Sequence, residues 1–318
     1  MRALIYDGSL RFVRDAAVAQ PGEGEALLRI LKAGICNTDL ELMNGYMAFS
    51  DILGHEFVAR VEAGPDDLIA QRVVCEINVA CGDCDFCAAG VPSQCRRRRT
   101  IGIDRYPGGF ADYLIAPVAN LHRVPDNVSD DEAVFVEPLA AALQVTEAVH
   151  ISPRDRVVVL GPGKLGLLVA QVLKLTGADL VVPVRREKQA RLLERWGILA
   201  VEAGSLPPGQ ADVVVDCTGV EDGFATALEL VRPRGTIVLK STYHGLPQAN
   251  LTRVAVDEIR VIGSRCGPFD AALRLLERGL VDVTSMIEKR YPLERGVEAL
   301  QAAAEQGMLK VLLDVSED

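Results

Sequence analysis

Residues 156–184, RVVVLGPGKLGLLVAQVLKLTGADLVVPV, restrict the fold of this chain more than any other stretch. Val157 to Leu160 form a short apolar run of the kind that becomes a strand buried on both faces. A glycine turn follows, then apolar residues at helical spacing, then a second apolar strand. Gly161, Gly163 and Gly166 fit the pattern G-x-G-x-x-G. In that pattern the first glycine permits a tight turn and the second lets backbone approach a pyrophosphate. The third lets the helix pack against the strand, and the helix N-terminus faces the phosphate. The motif by itself is weak, and the strand before it and helix after it supply the context it needs. With Lys164 and Leu165 inside the loop, Gly161–Gly166 is the candidate cofactor-binding segment.

The alternation continues through a helix at REKQARLLERWG, a strand at ILAVE and another at ADVVVDCTG. A helix at DGFATALELV and strands at GTIVLKS and EIRVIGS follow. About six strands separated by helices predict an α/β fold with a doubly wound parallel sheet. The segments before it differ. ALIY, LRFV and ALLRILKAGI are short strand-like runs punctuated by glycine and proline, and they predict a compact β-rich domain. The final AALRLLERGL, MIEKRYPL, LERGVEALQAAAEQ and KVLLDV read as helix, strand, helix and strand, and are expected to pack back on the first domain.

Two cysteine-bearing stretches in the β-rich part carry chemistry. In CNTDLELMNGYMAFSDILGHE, Cys36, His55 and Glu56 offer a thiolate, an imidazole and a carboxylate. Three protein ligands with an open fourth position suit a catalytic zinc. Thr38 stands where a hydroxyl can pass a proton to or from a bound oxygen. Taken singly, Cys36 also reads as a small buried hydrophobe and His55 as a core histidine. Both His55 and Glu56 can face one metal only if the backbone is irregular there, and Gly54 permits that. Further on, Cys81, Cys84, Cys87 and Cys95 are spaced C-x2-C-x2-C-x7-C, which suits a closed structural zinc site. A redox disulfide or an iron–sulfur cluster are the alternatives; the usual bacterial cluster run continues C-x3-C-P, and here Arg96 follows Cys95. Cys75, Cys217 and Cys266 stand apart and are expected to be buried packing residues. Glu137 lies in the apolar run VFVEPLAAAL, where a carboxylate needs a partner such as a metal or a water bound to one.

The chain is acidic, with 34 Lys and Arg against 44 Asp and Glu and a formal charge of -10, which argues against nucleic acid or an anionic membrane as partner. Arg96 to Arg99 are the one basic run, and a solvated loop face accounts for it. The N-terminal residues lack the apolar core of a signal peptide, and no apolar run is long enough to span a membrane. With four of eight cysteines inside fifteen residues, metal binding in a reducing compartment is expected, and the cytoplasm is the expected location.

Together, Cys36-x-Thr38-Asp39, Gly54-His55-Glu56, the four-cysteine lobe, Gly108-Gly109-Phe110-Ala111-Asp112-Tyr113, Glu137-Pro138-Leu139 and the glycine loop resemble the medium-chain, zinc-dependent alcohol dehydrogenase family over essentially the whole chain. The resemblance implies a GroES-like β-rich catalytic domain at 1–137, a Rossmann domain at 138–266, and a return segment at 267–318 that packs on the first. It further implies that Cys36, His55 and Glu56 bind catalytic zinc, with Glu137 ligating the metal or holding its water. Thr38 becomes the first proton relay and Asp39 the acid that orients His55. Glutamate in both the His55-Glu56 and Glu137-Pro138 motifs looks like the polyol, sugar and threonine dehydrogenase branch. Glu41 stands where many relatives have a histidine, as in sugar dehydrogenases, at the end of the relay. The chain is also shorter than is usual between Cys36 and His55, which implies a more open substrate cleft.

The implied activity is hydride transfer between a primary or secondary alcohol (a polyol, sugar or hydroxy amino acid) and NAD(P), in a homodimer or homotetramer. The other reading is a non-catalytic sensor of the same fold that binds zinc and dinucleotide. An NAD-specific site usually carries an acid at the end of the second strand. Here that position falls on Val184, with Arg185 and Arg186 next. Two guanidiniums can clamp a 2′-phosphate, so NADP(H) is expected over NAD(H); solvated charges at a helix start are the alternative.

Overall fold

In a computed structural model, residues 1–240, 242 and 249–316 are described. They form two compact units, one of Met1–Glu137 with Phe269–Asp318 and one of Pro138–Pro268.

The first unit is built on a seven-stranded sheet whose centre is the ten-residue strand Glu25–Gly34. Its residues Ala26, Leu28, Ile30, Leu31 and Ala33 are buried, so the strand carries the core of this unit. On one side it pairs antiparallel with Glu56–Ala63, on the other with Lys310–Asp314. Tyr113–Pro117 pairs along its first half. Gly34 lies opposite Glu56 in one register and opposite Leu312 in the other. The two outer strands are thus brought to either side of a residue with no side chain. A second sheet joins Leu10–Val13, Ala3–Tyr6 and Asp51–Ile52. The carboxylate of Glu132 and the hydroxyl of Ser129 form a reciprocal cap on the helix Asp130–Ala133, as the acidic start of that segment implies.

The second unit holds six parallel strands in the order Leu199–Glu202, Asp179–Val184, Arg156–Leu160, Ala211–Asp216, Val231–Leu239 and Arg260–Gly263. The order reverses beside Arg156–Leu160, the position at which doubly wound sheets bind ligands. The alternation has one gap: Leu199–Glu202 and Ala211–Asp216 are joined by 203–210 without a helix. Pro207, Pro208 and two glycines in that connection explain why none forms. The expected strand GTIVLKS begins earlier, at Val231, and its last residue, Ser241, lies outside the described residues. Among the described residues no helix is long and apolar enough to cross a membrane.

One tie inside the first unit is sensitive to pH. His122 on the strand Leu121–Arg123 places Nε2 3.0 Å from Glu76 Oε1 and Nδ1 2.7 Å from Asp270 Oδ1, on the helix Phe269–Glu277. The Phe269 ring packs on the imidazole, with centroids 5.4 Å apart. Only the protonated ring can donate to both carboxylates. The hydrogen bond to Glu76, opposed by burial and aided by Asp270, raises the His122 pKa. A raised folded-state value means the stabilisation is complete below about 6.5 and is lost as pH rises through the folded value. Because Asp270 is well exposed, the effect is held to about 1 kcal/mol, which in a protein of this size lowers Tm by about 1.5 °C. Thermal melts from pH 6 to 9 should show this decline in the wild type and lose it in His122→Gln. Parallel curves for the two proteins would count against the tie.

Candidate active site

Cys36 ends the turn that leaves strand Glu25–Gly34 and caps the helix Asn37–Met43. Asp39, in the first turn of that helix, is wholly buried, and its Oδ2 accepts the Cys36 N–H at 2.9 Å. Its Oδ1 sits 3.2 Å from His55 Nδ1, so one carboxylate holds the loop at Cys36 and the ring of His55 together. With Nδ1 turned to Asp39, the other ring nitrogen is the one left for a metal. Thr38 is half-buried, and its Oγ1 lies 3.6 Å from Cys36 Sγ. Glu41, one turn along the helix, is half-buried.

His55 and Glu56 reach the same place because the chain is bent before them. Gly54 has φ +99°, and a Cβ there would meet the Phe110 ring at 2.3 Å. The Gly108–Phe110 segment runs alongside, with Gly109 N–H donating to Gly54 O and Phe110 N–H to Leu53 O. His55 lies in the irregular backbone, and the strand proper starts at Glu56. The ligand atoms of Cys36, His55 and Glu56 consequently lie within 4.8 Å of one another. His55 and Glu56 are 3% and 1% exposed. A half-buried thiolate with a buried imidazole and carboxylate at this separation fits a zinc ion in chemistry as well as in number. Glu137, half-buried in the first turn of the helix Val136–Ala148, is not part of this three-residue cluster.

One participant has no motif. Lys310, on the strand Lys310–Asp314, is 1% exposed and its Nζ forms an ion pair with Glu56 Oε2. The Phe135 ring lies 5.3 Å from the same ammonium. A Cβ on Gly34 would come 2.8 Å from Glu56 Oε2 and 2.7 Å from Val134 Cγ1, so glycine is required for the pair to form. A lysine opening the apolar run KVLLDV was the only sequence sign of it.

The four-cysteine lobe closes on itself. Cys81 Sγ is 3.4 Å from Cys95 Sγ and 4.0 Å from Cys87 Sγ; Cys84 Sγ is 3.5 Å from Cys87 Sγ and 3.9 Å from Cys95 Sγ. Four sulfurs around a tetrahedral zinc with bonds of about 2.3 Å stand about 3.8 Å apart, so the lobe fits that ion. N–H donation from Arg96 and Cys87 lowers the Cys84 thiol to about 6, and donation from Cys81, with Arg97 behind it, lowers Cys95. Burial and the neighbouring Cys84 push Cys87 up to about 11. The basic run is not merely solvated. Arg96, Arg97 and Arg99 are exposed, as a solvated loop face requires, yet Arg96 binds Asp85 through two hydrogen bonds and Arg97 pairs with Asp83, tying the two ends of the lobe together at its surface, while Arg99 lies over Tyr106. Of the other cysteines only Cys75 is fully buried; Cys217, which packs against the glycine loop, and Cys266 are half-buried.

That loop meets the demands on each glycine. Gly161 has φ +81°, and a Cβ there would strike Thr218 Cα at 2.6 Å. A Cβ on Gly166 would strike Gly161 O at 2.1 Å, whereas one on Gly163 would meet nothing within 4 Å. The middle glycine thus faces open space where a phosphate can approach, and the outer two serve close packing. Lys164 and Leu165 open the helix Lys164–Lys174 and are half-buried. Val184 ends the second strand; Arg185 and Arg186 beyond it are exposed.

Family models agree with both halves of this picture. The alcohol dehydrogenase GroES-like domain matches residues 22–126, and the zinc-binding dehydrogenase family matches residues 165–278. A sorbitol dehydrogenase of Halalkalibacterium halodurans is 30% identical over 98% of this chain and 99% of its own length. An L-galactonate-5-dehydrogenase of Escherichia coli is 32% identical over 86% of each chain. A Sinorhizobium meliloti protein solved with NADP bound is 29% identical, superposes with a TM-score of 0.90 and covers 99% of both chains.

Proposed function

Because the chain belongs to the zinc-dependent medium-chain alcohol dehydrogenase family, we propose that it is an NAD(P)-dependent oxidoreductase acting on the CH–OH group of a polyol or sugar-derived alcohol. The observation that carries this reading is the convergence of Cys36, His55 and Glu56, with the Thr38 hydroxyl beside the Cys36 sulfur. Cys36, His55 and Glu56 hold one zinc, and Cys81, Cys84, Cys87 and Cys95 hold a second, structural one. When bound, zinc supplies Lewis acidity toward an alcohol or carbonyl oxygen, and the nicotinamide gives or takes the hydride. Asp39 fixes the ring of His55 and the backbone at Cys36, so the ligand set is rigid before any ion enters. Thr38 takes the hydroxyl proton of the alcohol and passes it outward, with Glu41 next along the helix as its acceptor. Glu137, outside the three-residue cluster, holds a water of the site. The sensor alternative would be favoured by a damaged ligand or relay set, and Cys36, Thr38 and His55 are all in place.

The loop Gly161–Gly166 seats the pyrophosphate, with Lys164 and Leu165 at the helix start. NADP(H) is the preferred cofactor. The support is the absence of a carboxylate at Val184, the exposed Arg185 and Arg186, and the NADP found in the Sinorhizobium meliloti relative. We also place the chain in the cytoplasm, where cysteines stay reduced and available to metal, and in a homodimer or homotetramer.

The test is a screen of polyols, aldoses, sugar acids, simple alcohols and threonine, read as absorbance of reduced cofactor with NADP and NAD in parallel. Turnover of a polyol or sugar-derived alcohol with higher kcat/KM for NADP is expected. Changing Arg185 and Arg186 together to Ala should cost NADP at least about tenfold relative to NAD, since a phosphate contact contributes of the order of 1.5–3 kcal/mol. A wild type that prefers NAD, or a ratio unmoved in the double variant, would remove the cofactor assignment. A protein inert toward every hydroxyl substrate would remove the activity.

A further inference from the structure

The buried ion pair behind the metal ligands has a consequence for the metal itself. Lys310 and Glu56 are each about 1% exposed, so neither charge is screened by water. A buried charge without a partner is strongly destabilising. Glu56 therefore has two claimants: the Lys310 ammonium, seated against Phe135, and whatever cation sits among Cys36, His55 and Glu56. The strand registers that set Gly34 between these residues make the arrangement a built one, since any side chain at Gly34 would occupy the contact.

We propose that Lys310 is a positioning residue for the metal site, a resident cation that competes with the metal for Glu56. It holds Oε2, so an ion bound by Cys36, His55 and Glu56 would share the carboxylate with the ammonium. In the metal-free protein it neutralises Glu56, so the site stays folded while empty. In the loaded protein its charge repels the ion and weakens the carboxylate's grip. Zinc occupancy is thereby kept reversible without loss of the fold. This inference rests on the assignment of Cys36, His55 and Glu56 as one ligand set.

The experiment compares wild type, Lys310→Met, Lys310→Gln and Lys310→Arg as zinc-loaded full chains. Zinc release to excess chelator is followed with a colorimetric indicator, and the phase that Cys36→Ser lacks belongs to this site. Release in that phase should slow at least about tenfold in Lys310→Met, slow less in Lys310→Gln and stay within about threefold of wild type in Lys310→Arg. Thermal melts should show the metal-free Lys310→Met protein less stable than metal-free wild type, with a larger rise in Tm on zinc addition. A purely structural lysine predicts the opposite sign, faster release from a loosened site. Release at the wild-type rate or faster in Lys310→Met and Lys310→Gln overturns the proposal, as does failure of both to fold with zinc present. A wild type with no release phase that Cys36→Ser removes overturns the ligand assignment beneath it instead.

Discussion

Cys36→Ser is expected to reduce the zinc content of the purified protein from two ions per chain to one and to abolish turnover. A serine hydroxyl at this position keeps the size of the side chain but not the soft, anionic sulfur that zinc favours. Polarisation by the ion supplies several kcal/mol of transition-state stabilisation, and each 1.36 kcal/mol is a factor of ten, so a loss of at least about a thousandfold follows. The fold should survive, because Asp39 still takes the backbone N–H at residue 36 and Lys310 still pairs with Glu56. Cys95→Ser makes the contrast. It should also leave one zinc, but at the cost of a lower Tm and lower solubility, because it opens a closed tetrahedral site whose binding energy is folding energy. Metal analysis beside circular dichroism melts and steady-state kinetics separates the two. Full activity in Cys36→Ser, or an unchanged Tm in Cys95→Ser, would contradict the roles given to the two sites.

Thr38→Ala should retain both zinc ions yet lose roughly 10²- to 10⁴-fold in kcat, the range over which positioned acid–base groups act. The hydroxyl lies 3.6 Å from the Cys36 sulfur, at the site, and the half-buried Glu41 follows on the same helix. Thr38→Ser keeps the hydroxyl and should recover most of the rate. The comparison needs kcat and KM separately, because a relay lowers kcat with little change in binding. A loss under about threefold in Thr38→Ala would mean that bulk water reaches the substrate hydroxyl directly.

What the amino-acid sequence determined unaided is what lies close together along it. The glycine loop was legible because a strand, a tight turn and a helix start are consecutive, although the atom that excludes a side chain at Gly161 is the distant Thr218 Cα. The four-cysteine lobe was legible because Cys81 to Cys95 can reach one centre whatever the rest of the chain does. Gly54 announced the bend that lets His55 and Glu56 act together, since only glycine takes φ +99° there without strain. The parallel sheet of about six strands followed from apolar runs with helices between them, although the helix-free connection at 203–210 departs from that pattern for want of helix-forming residues, and the order of the strands came only with the structure.

The tertiary structure alone decided the rest. Glu56 and Lys310 are 254 residues apart, and their meeting depends on the register of two strands against Glu25–Gly34, which no local spacing encodes. The same holds for His122, whose carboxylate partners come from residues 76 and 270. Charges such as these are placed by packing, because a buried or half-buried ion must find its counter-charge wherever the fold brings one.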